Sequence, residues 1–277
     1  MSRPYSFEAD TSNVPAKTHE KVFLTASDPF DERIARFKEI INNSKSIVFF
    51  GGAGVSTGSG IPDFRSDDGL YKNMPENVKQ FQPEYLLSRQ ILFEHPDVFY
   101  DFYRNHMDLR PYEPNDVHKY IAKLETDGKM SAVVTQNVDM LHEKAGTKNI
   151  YKIHGTIASN RCDKCGKKYD MDYIFDKSID IPRCDCKQHG LIRPDVVFYG
   201  EQLPSDQWKG AVKAIDEADC LIVCGTSLTV YPAANLVSKY SGEYLIIVNR
   251  DSTPYDSWAD VVFNEDMNDV FRTMSRS

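Results

Sequence analysis

No stretch of the 277-residue chain approaches the roughly 20 consecutive apolar residues that a membrane-spanning helix needs. The opening residues, MSRPYSFEAD, carry no apolar leader core, so a cytoplasmic location is expected. Positive charge is in deficit, with 33 Lys and Arg against 41 Asp and Glu and a formal net charge of −8. That balance speaks against nonspecific nucleic-acid or anionic-membrane binding, and no direct nucleic-acid partner is expected. A local basic groove on such a body could still attract an anionic cofactor. Internal repeats and low-complexity blocks are missing, so neither a solenoid nor a disordered linker protein is indicated. Cysteine is sparse, six in all, which in a chain with no leader suggests a metal site or buried thiols over a disulfide framework. What is present, 41% hydrophobic and 27% charged residues, suits a soluble α/β enzyme of one large domain, or of one domain with a smaller satellite.

Residues 1–29 are polar, contain Pro4, Pro15 and Pro29, and read as a loosely packed N-terminal arm. Asp28 or Asp31 is positioned to cap a helix whose Ile34, Phe37, Ile40 and Ile41 share one face. Short apolar runs then recur at 46–50, 132–134, 220–224 and 244–248, separated by helical stretches such as 208–217. Near-continuous runs of strand length suit a parallel sheet buried on both faces, and the alternation predicts a doubly wound, mostly parallel, Rossmann-like α/β fold. Two insertions interrupt it: an aromatic-rich helical module over about 70–125, and a small cysteine-bearing module over about 158–193. The catalytic domain would span 30–277, its sheet-bearing lobe comprising about 30–68, 130–157 and 194–277.

The first apolar run ends in Gly51-Gly52-Ala53-Gly54-Val55-Ser56-Thr57-Gly58, where missing side chains would let backbone N–H groups approach a pyrophosphate. Its spacing, Gly52-x-Gly54-x-x-x-Gly58, is one residue longer than the dehydrogenase fingerprint. No strand ending in an acid follows about 20 residues later to hold an adenine ribose. Beyond the loop, Ile61-Pro62-Asp63-Phe64-Arg65-Ser66 reads as a flexible cover, with Arg65 able to pair with phosphate and Phe64 able to shield a reactive carbon. An Asp63–Arg65 surface pair is the plainer alternative.

Two more segments end in polar residues where the carboxyl edge of a sheet would present them. These are Thr135-Gln136-Asn137-Val138-Asp139 and His154-Gly155, so Gln136, Asn137, Asp139 and His154 are candidates for one shared site. His154 is the candidate general base; His19, His95, His106, His118 and His142 read as surface or core residues. Cys162-x-x-Cys165 and Cys184-x-Cys186, separated by residues 166–183, match the spacing of a structural zinc site with four thiolates and no open coordination position. His189 is a fallback ligand for Cys186, and Cys220 and Cys224, four apart on a strand, read as core residues on one face.

In order and spacing, these motifs resemble the sirtuin family of NAD-dependent protein deacylases. The resemblance runs from about residue 32 to 272. It also takes in Arg193-Pro194-Asp195-Val196-Val197-Phe198-Tyr199-Gly200-Glu201, Gly225-Thr226-Ser227-Leu228 and Val248-Asn249. It implies that Gly52, Ala53, Gly54, Ser56, Asp63, Phe64 and Arg65 contact NAD from the loop side. Gln136, Asn137 and Asp139 would line the nicotinamide and ribose pocket, and Gly225, Thr226, Ser227, Asn249, Arg250 and Asp266 the adenosine half. Val197, Phe198 and Gly200 would pair with the backbone of an acyl-lysine peptide, and one structural zinc would sit on the four cysteines. The implied chemistry consumes NAD. The acyl oxygen attacks the ribose carbon as nicotinamide leaves, His154 removes a ribose hydroxyl proton, and free lysine, nicotinamide and O-acyl-ADP-ribose result, with Asn137 and Asp139 as its catalytic neighbours.

The chain departs from the family pattern in places. The second cysteine pair is Cys-x-Cys followed by Lys187-Gln188-His189, and Asn137-Val138-Asp139 replaces Asn-Ile-Asp. Members that remove succinyl or malonyl groups carry Tyr-x-x-Arg; here the stretch is Tyr103-Arg104-Asn105-His106, which favours a neutral short acyl group, with Arg104 or a charged His106 as possible substitutes. Competing functions are mono-ADP-ribosyl transfer or NAD hydrolysis on the same fold, and a non-catalytic NAD-sensing module.

Overall fold

The computed structural model describes residues 22–63, 69, 78–79 and 81–276. Nine strands are present among them: β1 (Ile47–Gly51), β2 (Met130–Thr135), β3 (Ile150–Lys152), β4 (Gly155–Cys162), β5 (Lys168–Asp170), β6 (Ile192–Val196), β7 (Cys220–Cys224), β8 (Tyr244–Val248) and β9 (Val261–Phe263). Six form one parallel sheet in the order β3-β2-β1-β7-β8-β9. The chain starts in the middle, winds outward one way, then returns to wind the other, which is the doubly wound Rossmann arrangement.

The apolar runs are continuous because both faces are covered. Ile47, Phe49, Cys220, Ile222, Cys224, Ile246 and Val248 point into one core with the helices Phe30–Asn43, Asp116–Thr126 and Met267–Ser275. Val48, Phe50, Leu221, Val223, Leu245 and Ile247 point into the other, against Ser205–Asp216 and Asn235–Ser238. The alternation has period two, so Cys220 and Cys224 do share a face, both fully buried. Burying a Phe or Ile side chain contributes about 1.5–3 kcal/mol, so these two cores dominate the stability of the lobe.

Three local expectations need correction. The first helix starts after Pro29 with no side-chain cap; Asp28 instead accepts from Thr25 N and Oγ1 at 2.7 and 2.9 Å, and Asp31 lies inside the first turn. The end of the arm is not loose, because Leu24 bridges Val261 and covers the outer edge of β9. Residues 1–21 lie outside the described residues. Asp116–Thr126 falls in the stretch read as a helical module, yet its Val117, Tyr120, Ile121 and Leu124 form a single stripe packed on the large sheet.

The remaining elements build a smaller lobe around the antiparallel sheet β5-β4-β6. Helices Arg89–Glu94, Pro96–His106 and Met171–Phe175 share one core with it, where Phe99 meets Phe198 edge to face at 5.4 Å and Tyr103 stacks on Phe175 at 5.7 Å. The two insertions, separate in sequence, thus pack as one body.

Candidate active site

The register of the large sheet levels its strand ends. Gly51 of β1 pairs with Thr135 of β2 and Cys224 of β7, and Cys224 pairs with Val248 of β8. The next residues along these four strands are therefore Gly52, Gln136, Gly225 and Asn249, brought side by side at the carboxyl edge, where open α/β sheets bind ligands. They open onto a cleft of about 1140 Å³.

The glycines there have a more specific purpose than approach to phosphate. Gly52 N and Gly54 N already donate to Cys224 O and Gly225 O, at 3.0 and 2.9 Å. A Cβ on Gly54 would stand 2.7 Å from Gly225 Cα, and one on Gly225, whose φ is +60°, would stand 2.4 Å from Val55 N. Two backbone turns are locked together, and neither tolerates a side chain.

Asn137, Ser56 and Asp139 form a buried relay behind the cleft floor. Asn137 Nδ2 donates to Ser56 Oγ at 3.0 Å, and Ser56 Oγ donates to Asp139 Oδ2 at 2.7 Å. Burial raises the Asp139 pKa, opposed by hydrogen bonds from Leu141 N and Ser56. Across the cleft floor Gln136 Nε2 donates to Thr226 Oγ1 at 3.2 Å. Asn249 is fixed by donating to Asp251 O at 2.7 Å, and Asp266 caps the last helix through Asn268 N at 2.7 Å.

His154 lies where β3 of the large sheet passes into β4 of the small one. Its Nδ1 is 3.0 Å from Gln136 O; a carbonyl can only accept, so Nδ1 carries the proton and Nε2 keeps a lone pair. Burial pushes the imidazole below its ordinary pKa, against the Gln136 carbonyl, so the ring is neutral at pH 7. Gly155 has φ +79°, and a Cβ there would meet Asp195 O at 2.0 Å; the glycine lets β6 cross directly beside the histidine. Val197 N then donates to His154 O at 2.9 Å, tying the histidine to residues 196–201. That loop is braced by buried Arg193, whose Nη2 bonds Val196 O at 2.8 Å and Glu201 Oε2 at 2.7 Å. Burial alone would raise Glu201, yet Arg193 holds it below its ordinary value.

Of the residues anticipated from sequence, the cleft is lined by Gly52, Ala53, Gly54, Asp63, Gln136, Asn137, His154, Val197, Phe198, Gly200, Gly225, Thr226, Ser227, Asn249, Arg250 and Asp266. Ser56 and Asp139 stand just behind it, and Phe64 and Arg65, with the cover assigned to them, lie outside the described residues. Sequence reading missed the wall formed by Val230, Tyr231 and Pro232, and the contribution of Trp208. The only signal for that wall was its adjacency to Gly225-Thr226-Ser227-Leu228. The bracing of the loop by Arg193 left no local signal.

A model of the Sir2 family matches residues 52–232. An NAD-dependent protein deacetylase of Clostridium acetobutylicum is 47% identical over 243 residues, covering 88% of this chain and 98% of that one. The chain belongs to the Sir2 family. Among solved structures, a Sir2 variant with a deacetylated peptide and 3′-O-acetyl-ADP-ribose superposes with TM-score 0.79 at 36% identity, covering 88% of this chain and 97% of that one. A Sir2 protein bound to a propionylated peptide gives 0.77 at 37% identity, with the same coverage.

In this sirtuin the four cysteines converge. All four sulfurs lie within 4.8 Å of one another, with Cys162 to Cys186 at 3.8 Å and Cys165 to Cys184 at 3.6 Å. A tetrahedron with zinc–sulfur bonds of about 2.3 Å has edges of about 3.8 Å, so the cluster fits a structural zinc ion. The Cys-x-Cys spacing is accommodated, and His189 is outside the group. Arg104, considered as an acyl-carboxylate partner, instead donates to the carbonyls of Ile174, Ile179 and Asp180 at 2.7, 2.6 and 3.0 Å. His106 leans on Phe102 at 4.8 Å with its pKa lowered by burial, and the nearest cleft-lining residue of that segment is Met107. No described helix is long and apolar enough to cross a membrane.

Proposed function

We infer that this sirtuin is an NAD-dependent protein lysine deacylase that returns free lysine, nicotinamide and O-acyl-ADP-ribose. The observation that carries the reading is His154, held by Gln136 O with its second nitrogen unprotonated, in the same cleft as the paired glycine turns. NAD as co-substrate supplies a ribose carbon made electrophilic by its nicotinamide leaving group. Asn137, oriented through Ser56 and Asp139, would hold that end of the dinucleotide, and Gly225, Thr226, Ser227, Asn249, Arg250 and Asp266 the adenosine end. His154 Nε2 would take the proton of a ribose hydroxyl, and the neutral ring makes it a competent base near pH 7. The backbone of Val197, Phe198 and Gly200 would receive the peptide as an added strand; Phe198 itself is only 2% exposed, so its side chain supports the loop from the core.

A neutral, short acyl group is the favoured substrate. The described residues around the lysine-side cleft include apolar Ile61, Leu87, Met107 and Val138, while Arg104 is committed to three carbonyls. The site of action is proposed to be the cytoplasm. A panel of acyl-lysine peptides with NAD, read by mass spectrometry of both products, tests the reading. Acetyl and propionyl peptides should yield O-acyl-ADP-ribose and outpace succinyl peptide, and Arg104→Met should leave that ranking unchanged. ADP-ribosylated protein or free ADP-ribose as the main product would favour the transferase or hydrolase reading; nicotinamide never released would leave only a binding module.

A further inference from the structure

The zinc cluster is flanked by a side chain that none of the motifs includes. Tyr169, on β5, points its hydroxyl at Cys184, with Oη 3.1 Å from Sγ. A phenol donates and a thiolate accepts, and four thiolates on one dication leave two surplus negative charges for such donors to offset. The backbone N of Cys186 supplies a second, longer donor to the same sulfur at 3.4 Å. Opposing them, Asp185 Oδ1 lies 3.6 Å from Cys184 Sγ, where a carboxylate would repel a metal-bound thiolate. Lys167 answers that charge: its Nζ is 2.8 Å from both Asp185 oxygens and 5.3 Å from the centre of the Tyr169 ring. Tyr173 packs on the same ring at 4.7 Å, so the phenol is held from more than one side. The hydroxyl is also 3.5 Å from Asp185 Oδ1, but the shorter contact is to sulfur.

We propose that Tyr169 sets how tightly the four-cysteine cluster retains its metal, by donating its hydroxyl to the Cys184 thiolate while Lys167 neutralises the adjacent Asp185. The proposal rests on the zinc reading of the cluster. Tyr169 acts through Cys184 as a positioning residue, with no part in deacylation. Hydrogen-bond donors to metal ligands typically change affinity by about 10–100-fold.

The test is zinc competition against a chromogenic chelator, under reducing conditions, on the full chain. Tyr169→Phe, which keeps the ring, should bind zinc about 10–100-fold more weakly than wild type. Lys167→Met should weaken it in the same direction by a smaller factor. Affinity of Tyr169→Phe within about twofold of wild type would overturn the proposal. If Tyr169→Phe is purified metal-free and unfolded, refolding at raised zinc supports it, and failure to refold at saturating zinc overturns it. Wild-type protein without one zinc per chain would defeat the metal reading itself, an outcome separable because the variant would then have no metal to lose.

Discussion

The two lobes of this sirtuin are stabilised in different ways. The larger buries a parallel sheet between two apolar layers, each supplied by alternate residues of the same strands. The smaller has one core, and that core is shared: Leu86, Ile91 and Phe99 come from one insertion, Ile174, Leu191 and Ile192 from the other. Its described sheet has three strands, and four cysteine sulfurs converge beside it in a group that could hold a metal. The larger lobe is therefore stable through area, the smaller through a mutual contact between segments, beside a cysteine cluster that could hold a metal. His154 belongs to neither alone. Its ring is held from the large sheet through Gln136 O, while its own carbonyl receives Val197 N at the end of the small sheet. The candidate site sits on the seam, where the carboxyl edge of the large sheet meets the loop that follows β6.

The contrast is sharpest at the seam. His154→Ala should lower deacylation by about 10²–10⁴-fold while NAD binding by calorimetry and the melting temperature stay close to wild type. An equal loss of NAD affinity would make the residue a binding determinant in place of a base. Next in size is the loss of the metal. Chelation, or Cys184→Ser, should unfold the small sheet first, so that amides of β4 and β6 exchange quickly while those of β1 and β7 stay protected. Simultaneous exchange of both sets would show that the lobes unfold as one unit.

Within the larger lobe, Gly225→Ala forces a side chain into a left-handed position against Val55 N, and should cost about 2–4 kcal/mol in urea denaturation along with NAD affinity. An unchanged denaturation midpoint would mean that the paired turns are not rigid. The smallest effect at neutral pH concerns a buried imidazole pair beneath the sheet. His118 and His142 meet at 4.7 Å between ring centres, and three of their four nitrogens have no hydrogen-bond partner among the described residues. Burial lowers His142 to about 4, and burial followed by the neighbouring His142 lowers His118 further. Both rings are neutral when folded and bind protons when unfolded. From pH 6.5 down to about 4, stability should thus fall steadily as the unfolded imidazoles take up protons that the folded rings refuse. His142→Phe should flatten that slope; a slope identical to wild type would assign acid sensitivity elsewhere.

Legibility followed the same division. Strands β7 and β8 were readable to the residue, because five consecutive apolar residues bounded by polar residues or glycine leave little ambiguity in a sheet covered on both faces. β9, three residues long, was not, since so short a run resembles any buried turn. The helix Asp116–Thr126 showed its period but not its destination: an apolar stripe states that a face is buried, never against what. In the site, Gln136, Asn137 and His154 stood out as polar residues just past apolar runs. Val230, Tyr231 and Trp208 did not, being ordinary apolar and aromatic residues whose position in the cleft depends on remote neighbours.

What the sequence determined by itself is the alternation of buried strands and helices, the polar groups at the strand ends and the four thiols, because each is a local property of residue type and spacing. The tertiary structure decided the rest. Strand register levelled Gly52, Gln136, Gly225 and Asn249, close packing pressed two glycine turns together, and a shared core turned two insertions into one lobe and committed Arg104 to backbone carbonyls. These depend on contacts between segments far apart in the chain, whose energies arise only once both surfaces are buried together.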